Sequence, residues 1–436
     1  MTVLKVGLAG LGTVGGGTWK VCEKNSDEII RKAGREVKIV AVAEPARNKF
    51  LSLGENGISY FSDAMELIEV PEIDVIVELI GGDTFAKMLV LKALKNGKHV
   101  VTANKALLAK HGNEIFEVAE KNRVTVGFEA AVAGGIPILK VLREGLTANS
   151  IDWVAGIING TSNYVLSEME DRGISFDQAL KEAQDLGFAE SDPTLDIEGN
   201  DSAHKLSLLA SMAFGIKINL DKILVSGIKD LDLKEVIYAK KLGYKIKSLG
   251  IARRTDSCLE LRVHSTLIPE NCLMANVNGA MNAVMVKGNS VGNTLYYGQG
   301  AGAEPTASAV VADLVDIARN SIGNVSARVP ALSYQSNHIR DLNILEDGLI
   351  KSGFYIRLRV LDRAGVLADV TRCLSNEDIS IESFFQKKPR EDENSTDVVL
   401  LTHECLGKNI LDSIKAIKLV KNVIDDPIIL RVESLK

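Results

Sequence analysis

Along the first third of the chain, short apolar runs alternate with longer stretches patterned at three to four residues. "LKVGLAG" (4–10), "VKIVAVAE" (37–44), "DVIVELIGG" (74–82), "KHVVTAN" (98–104) and "RVTVGFEA" (123–130) are apolar at consecutive positions, as strands buried on both faces are. Between them, stretches such as "AKMLVLKALKNGK" carry helical periodicity and close on a glycine. Strand–helix–strand alternation of this kind predicts a doubly wound parallel sheet with helices on both faces.

From about 137 the rhythm changes. Strand-like "IDWVAGIING" is followed by a helical stretch from 163, an acidic segment, a helix from about 201, and then "LELRVHSTLIP" and "MNAVMVKGN", which together predict an α+β domain. "EPTASAVVADLVDIARNS" (304–321) predicts a helix with Pro305 at its first position and Ala307, Val310, Val311, Leu314 and Ala318 on one face. "SARVPALS" and the polar stretch near 333–352 read as a linker. The last segment opens with a strand, a turn, a helix and a second strand in "FYIRLRVLDRAGVLADVTRCLSNEDISIESFF", and "KKPREDENST" (387–396) predicts an exposed hairpin loop.

Composition narrows the class. A chain of 436 residues exceeds one ordinary core, so two or three domains are expected. Hydrophobic residues at 46% and charged residues at 25% describe a globular protein, and a net charge of −6 argues against a nucleic-acid or anionic-membrane partner. "MTVLKVGLAG" lacks the pattern of a secretory leader, and no apolar run reaches membrane-spanning length. The five cysteines are scattered and never spaced C-x-x-C, which suits reduced thiols. These observations lead us to expect a cytoplasmic, multi-domain enzyme.

The first candidate site is "GLAGLGTVGGG", where Gly10-x-Gly12-x-x-Gly15 follows the first strand and precedes a helical stretch, with Thr13 and Val14 as further candidate cofactor contacts. Glycines there permit a tight turn and close backbone approach, and the helix N-terminus offers N–H groups to a pyrophosphate, the Rossmann arrangement for NAD or NADP. Glu44 ends the second strand, where a carboxylate accepts from the adenine ribose of NAD; Arg47 and Lys49 follow, where a 2′-phosphate would sit. The sequence leaves the preference unsettled, leaning to NAD or dual use.

The second is "ESDPTLDIEGNDSAHK" (190–205), five carboxylates in sixteen residues running into an apolar helix. Asp201 and Lys205 stand at i, i+4, on one helix face; most such pairs are solvated ion pairs. Context removes that bland reading. "GLGTVG", "TANKALLA", "EAAVAGGIPI", "GIINGTSNYVL" and "GFAESDPTLDIEGNDSAHKL" occur in this order and at these separations, and over residues 1–325 the chain resembles homoserine dehydrogenase.

The resemblance implies NAD(P)-dependent interconversion of L-homoserine and L-aspartate 4-semialdehyde. It makes Lys205 the general acid/base, Asp201 the group that orients substrate, and Lys105 a lysine between nicotinamide and substrate. Both substrates carry an α-ammonium, which needs carboxylate partners when buried, and Glu190, Asp196 and Asp201 are the candidates, with Thr161 alongside. Leu195 stands where some relatives carry an acid. Asn163 lines the pocket or caps a helix, Gly302 is implied to approach the cofactor, and Gly187 does the same or terminates a helix. The turn at 129–138 is implied to hold a monovalent cation, sodium, through Glu129, Val132, Gly134 and Ile136; the alternative is a hinge without an ion.

The carboxyl-terminal segment resembles an ACT domain, a βαββαβ module that binds amino acids, on "VLDRAGVLADVT". Threonine is the effector expected there, at the turn around Gly365. No amino-acid kinase segment precedes the glycine loop, which suggests the monofunctional form, as a homodimer or homotetramer. The expected division is 1–136 Rossmann domain with a return helix at 304–325, 137–303 catalytic and dimerisation domain, 326–352 linker and 353–436 ACT domain. Two rivals stay open: a dehydrogenase of another amino-acid aldehyde, and a non-catalytic sensor that binds nucleotide.

Overall fold

The computed structural model describes residues 3–54, 57–322, 329–387 and 394–436. The last residues of the expected return helix, the start of the expected linker and most of the "KKPREDENST" loop lie outside the described residues.

The first third forms a six-stranded sheet of β1 (Val3–Ala9), β2 (Glu36–Ala43), β3 (Ser59–Phe61), β4 (Val75–Glu78), β5 (His99–Thr102) and β6 (Val126–Gly127). Every pairing is parallel, and the spatial order is 3-2-1-4-5-6, the doubly wound dinucleotide arrangement. Only Val126 and Gly127 of "RVTVGFEA" pair as strand; the chain then turns through Glu129–Ala131. The helix Ala303–Ile322 returns to this sheet, and Val310, Leu314 and Ala318 join Leu4, Val6 and Leu8 in one core. Pro305 is its third residue, not its first, because the helix begins directly after Gly302. A Cβ on Gly17 would lie 2.4 Å from the Ala303 oxygen, so the first helix, Thr13–Lys24, and the return helix meet backbone to backbone.

The remainder is built on one large mixed sheet. Its strands run, edge to edge, Gly292–Gln299, Met281–Gly288, Ile151–Ile157, Tyr244–Arg254, Cys258–Pro269, Ile428–Val432, Lys351–Leu361, Ser395–Thr402 and Ile381–Gln386. The helix Asn200–Phe214 is wedged between this sheet and the dinucleotide domain. Only Asn200 and His204 escape burial, which explains its apolar character all round.

The carboxyl-terminal residues follow the order strand, helix, strand, strand, a two-residue strand at Cys405–Leu406, helix, strand, with Val366–Ser375 and Gly407–Lys418 covering one face. The other face is not free. Tyr355, Val399 and Leu401 pack against Tyr164, Leu166 and Met169 of the helix Gly160–Arg172 and against Val236 and Ala239 of the helix Leu233–Lys241. Strand Ile428–Val432 pairs in parallel with Cys258–Pro269 through Thr266–Arg431 and Leu267–Val432, so the two sheets are continuous. The stretch before it is no free linker either. Leu332 is buried in the main core, Ile216 bridges Arg340, and Asn343–Ile344 pairs with Cys258–Leu259.

Candidate active site

The glycine loop lies between the C-terminal ends of β1 and β4. Gly10 has φ +95°, and a Cβ there would meet the Leu79 oxygen at 2.7 Å. A Cβ on Gly15 would stand 2.0 Å from the Gly10 oxygen, so only glycine lets the helix start this close to the strand. Gly12, by contrast, faces open space and precedes Thr13–Lys24 with no side-chain cap. Thr13, Val14 and Gly15 thus present uncapped N–H groups at a helix N-terminus, which fits the diphosphate of a nicotinamide dinucleotide.

Glu44 sits just past β2 but turns inward. Its Oε2 accepts from the Leu11 N–H at 2.8 Å and its Oε1 from the Ala46 N–H at 3.1 Å, with Lys49 Nζ 3.6 Å away. Burial pushes this carboxyl up, but those amides and Lys49 outweigh it and hold it below the usual range. Arg47 and Lys49 stay exposed beside it. Gly302, φ +122°, precedes the return helix and so lies next to the first helix through the Gly17–Ala303 contact.

At the junction of the two sheets, Asp201 stands between two lysines. Lys205 Nζ donates to Asp201 Oδ2 at 2.6 Å and to the Ile158 oxygen at 2.7 Å, and Lys105 Nζ lies 3.2 Å from Asp201 Oδ1. Lys205 comes from the buried helix, one turn below Asp201; Lys105 opens the helix Lys105–Lys121, capped by Asn104 Oδ1 accepting from Leu107 N–H at 3.0 Å. Asn104 is held in turn by Thr102, whose hydroxyl accepts its N–H and donates to the buried Glu78. Burial would raise the Asp201 carboxyl, but Lys205 and Lys105 outweigh it and keep it far below its ordinary value. Lys205 is 11% exposed in its side chain and Lys105 41%. Two of Lys205's three N–H bonds have partners, which leaves one to donate elsewhere.

The other expected ligands divide. Asp196 joins the centre through Asn159, whose amide spans Asp196 Oδ1 at 2.7 Å and Asp201 Oδ2 at 2.9 Å. Thr161 is buried close by, yet its hydroxyl donates to the Phe188 oxygen at 2.8 Å. Glu190 is exposed, with its backbone oxygen held by Gln184 rather than its carboxylate held by either lysine. Leu195 is exposed, and Gly187 adopts φ +75° after the helix Phe176–Asp185 with nothing near its missing side chain. Asn163 is not the helix cap; that is Asn159, and Asn163 lies one turn inside, donating to the Val277, Gly279 and Met281 oxygens. Asn159 lies in the "NGTSNY" motif, but the cap was expected at Asn163. An Asn-Gly pair at a strand–helix junction is the signal for such a cap.

The turn at 129–136 brings the four residues of the expected cation site into one bend. The Glu129 carboxylate accepts from the Leu139 and Lys140 N–H groups, both at 2.9 Å, and burial together with Asp313 pushes it up to about 8. It caps a helical turn through both of its oxygens. The Ile136 oxygen accepts from Ile138 N–H at 2.8 Å. Among the described residues the Val132 and Gly134 oxygens accept no hydrogen bond, so the donors left for a hard ion are main-chain carbonyls.

Two family models match this chain: homoserine dehydrogenase over residues 137–315, and homoserine dehydrogenase, NAD binding domain, over 10–129. A homoserine dehydrogenase from Pseudomonas aeruginosa is 53% identical, with all of both chains covered. The chain belongs to the homoserine dehydrogenase family. The crystal structure of a homoserine dehydrogenase from Thiobacillus denitrificans, 53% identical, superposes with a TM-score of 0.95 over 100% of this chain and 99% of that one. A hyperthermophilic archaeal homoserine dehydrogenase, solved in complex with NADPH, shares the fold at 23% identity and a TM-score of 0.62, over 78% of this chain and all of that one. The chain is thus an NAD(P)-dependent oxidoreductase that interconverts L-homoserine and L-aspartate 4-semialdehyde, a reaction of the aspartate-derived route to threonine and methionine.

Proposed function

We propose that, within this homoserine dehydrogenase, Lys205 is the proton donor and acceptor at the reacting oxygen. The observation that carries this is the pairing of a nearly buried ammonium with Asp201 and the Ile158 oxygen, one N–H left over. The bound nicotinamide supplies or takes the hydride. Negative charge then develops on the carbonyl oxygen, and a fixed ammonium in a water-poor site stabilises it and passes a proton. Asp201 holds Lys205 in place and aims it, and Lys105, more exposed, adds positive charge on the cofactor side. Asp196 receives the substrate's α-ammonium.

For the cofactor we propose a preference for NADP. Glu44 is engaged by the loop it buttresses, while Arg47 and Lys49 are exposed where a 2′-phosphate would lie. For the carboxyl-terminal module we propose an amino-acid effector, threonine, at the turn before Val366–Ser375. Gly365 there has φ +93° and caps that helix with no side chain, leaving N–H groups for a carboxylate.

The decisive experiment follows nicotinamide absorbance with aspartate semialdehyde for wild type and Lys205→Ala. A fall in kcat of about a hundredfold or more, with the protein still folded, is expected. Turnover within about tenfold of wild type would move the proton donor to Lys105 or to water.

A further inference from the structure

Asn159 is 5% exposed and terminates the strand Ile151–Ile157 as the N-cap of the helix Gly160–Arg172. Its Oδ1 accepts from the Ser162 N–H at 2.7 Å, which fixes the way the amide faces. The Nδ2 group then has two hydrogens and two acceptors, Asp196 Oδ1 and Asp201 Oδ2. Asp201 is fully engaged, since Oδ1 faces Lys105 and Oδ2 takes Lys205 as well. Asp196 keeps Oδ2 without a partner among the described residues. Ser162 Oγ, from the same turn, donates to the Asp196 main-chain oxygen at 3.0 Å, so both the backbone and the carboxylate of Asp196 are set from this cap.

From this arrangement we infer that Asn159 is a positioning residue for the substrate's ammonium: its amide parts the two carboxylates and presents the free oxygen of Asp196 to the donor. The inference rests on the proposed role of Asp196. One amide does three things here. It caps a helix, it places a positive dipole between two like charges that would otherwise repel, and it sets the direction of the unpaired oxygen. No carboxylate or hydroxyl at 159 reproduces all three.

The test uses the full chain and steady-state oxidation of L-homoserine by Asn159→Ser, Asn159→Asp and Asp196→Asn. Serine and aspartate keep an acceptor for Ser162, so the cap survives in both. Asn159→Ser should raise the KM for homoserine about tenfold and leave the nicotinamide KM within about twofold. Asn159→Asp removes both Nδ2–H bonds and sets a third carboxylate against the pair, and should move the acid limb of the kcat/KM profile up by about one pH unit. A merely structural role moves neither quantity in a folded variant. Should Asn159→Ser fail to fold, the pH profile of Asn159→Asp carries the test. An unchanged homoserine KM and pH profile in the Asn159 variants, with a raised KM in Asp196→Asn, overturns the inference alone. An unchanged homoserine KM in Asp196→Asn overturns the reading of the site and this inference with it.

Discussion

Replacing Glu433 by glutamine tests whether the carboxyl-terminal strand is anchored to the catalytic sheet by charge. Glu433 follows Ile428–Val432, and its carboxylate takes Arg262 Nη2 at 2.5 Å and Arg253 Nη2 at 2.7 Å. Burial alone would raise this carboxyl; the two guanidiniums outweigh it and leave the pKa at about 2 against an ordinary 4.5. That difference is worth about 3 kcal/mol of preference for the ionised form in the folded chain. The folded pKa is the lower one, so this stability is fully present above pH 4.5 and is lost as the pH falls toward about 2. Glutamine keeps the shape but leaves Arg262, 1% exposed, with Glu260 as its remaining counter-charge at 3.1 Å. Urea unfolding of both proteins, followed by circular dichroism from neutral to acid pH, should show a gap of about 3 kcal/mol at pH 7 that shrinks to about 2 at pH 3.5. A gap below about 1 kcal/mol at pH 7, or one that stays constant down to pH 3.5, would refute the reasoning.

Two further outcomes follow from the cofactor and effector readings. Arg47→Ala and Lys49→Ala together should raise the KM for NADPH about tenfold and leave that for NADH nearly unchanged, in the same absorbance assay; equal effects on both cofactors would remove the 2′-phosphate assignment. Gly365→Ala forces a side chain onto φ +93°, so threonine inhibition should weaken about tenfold with uninhibited turnover retained, and undiminished inhibition would place the effector elsewhere. A truncation before Lys351 cannot serve for that purpose, because it would expose the apolar face that Tyr355, Val399 and Leu401 cover.

How much of this was legible in the sequence depended on whether a feature is local. Most of the dinucleotide sheet announced itself because its central strands are apolar on consecutive positions, and the glycine loop because its glycines are spaced G-x-G-x-x-G directly after the first of them; β3, a three-residue Ser-Tyr-Phe edge strand, left no such signal. That Asp201 and Lys205 share one helix face was readable from their four-residue spacing, but their expected role came from the resemblance of the surrounding motifs. What pattern could not show is which partner takes a polar group. Glu44, Glu129 and Asn159 are each of a type that binds ligands, and each sits at the end of an element where ligands bind. The backbone reaches them first: Leu11 and Ala46 take Glu44, Leu139 and Lys140 take Glu129, and Ser162 takes the oxygen of Asn159.

The carboxyl-terminal module illustrates the same limit at larger scale. A polar stretch after a helix and a second run of strands read as a linker and a separate domain, because sequence patterning reports which face of a strand is apolar and not which body covers it. Here the covering body is the catalytic domain. Strand Cys258–Pro269 pairs with Ile428–Val432 on one side, and its Val263 packs within reach of Gly199, the residue that opens the helix carrying Asp201 and Lys205. A module fused to that strand is therefore one element away from Lys205. Any ligand that shifts Ile428–Val432 acts on a sheet already shared with the active site, without a hinge between them.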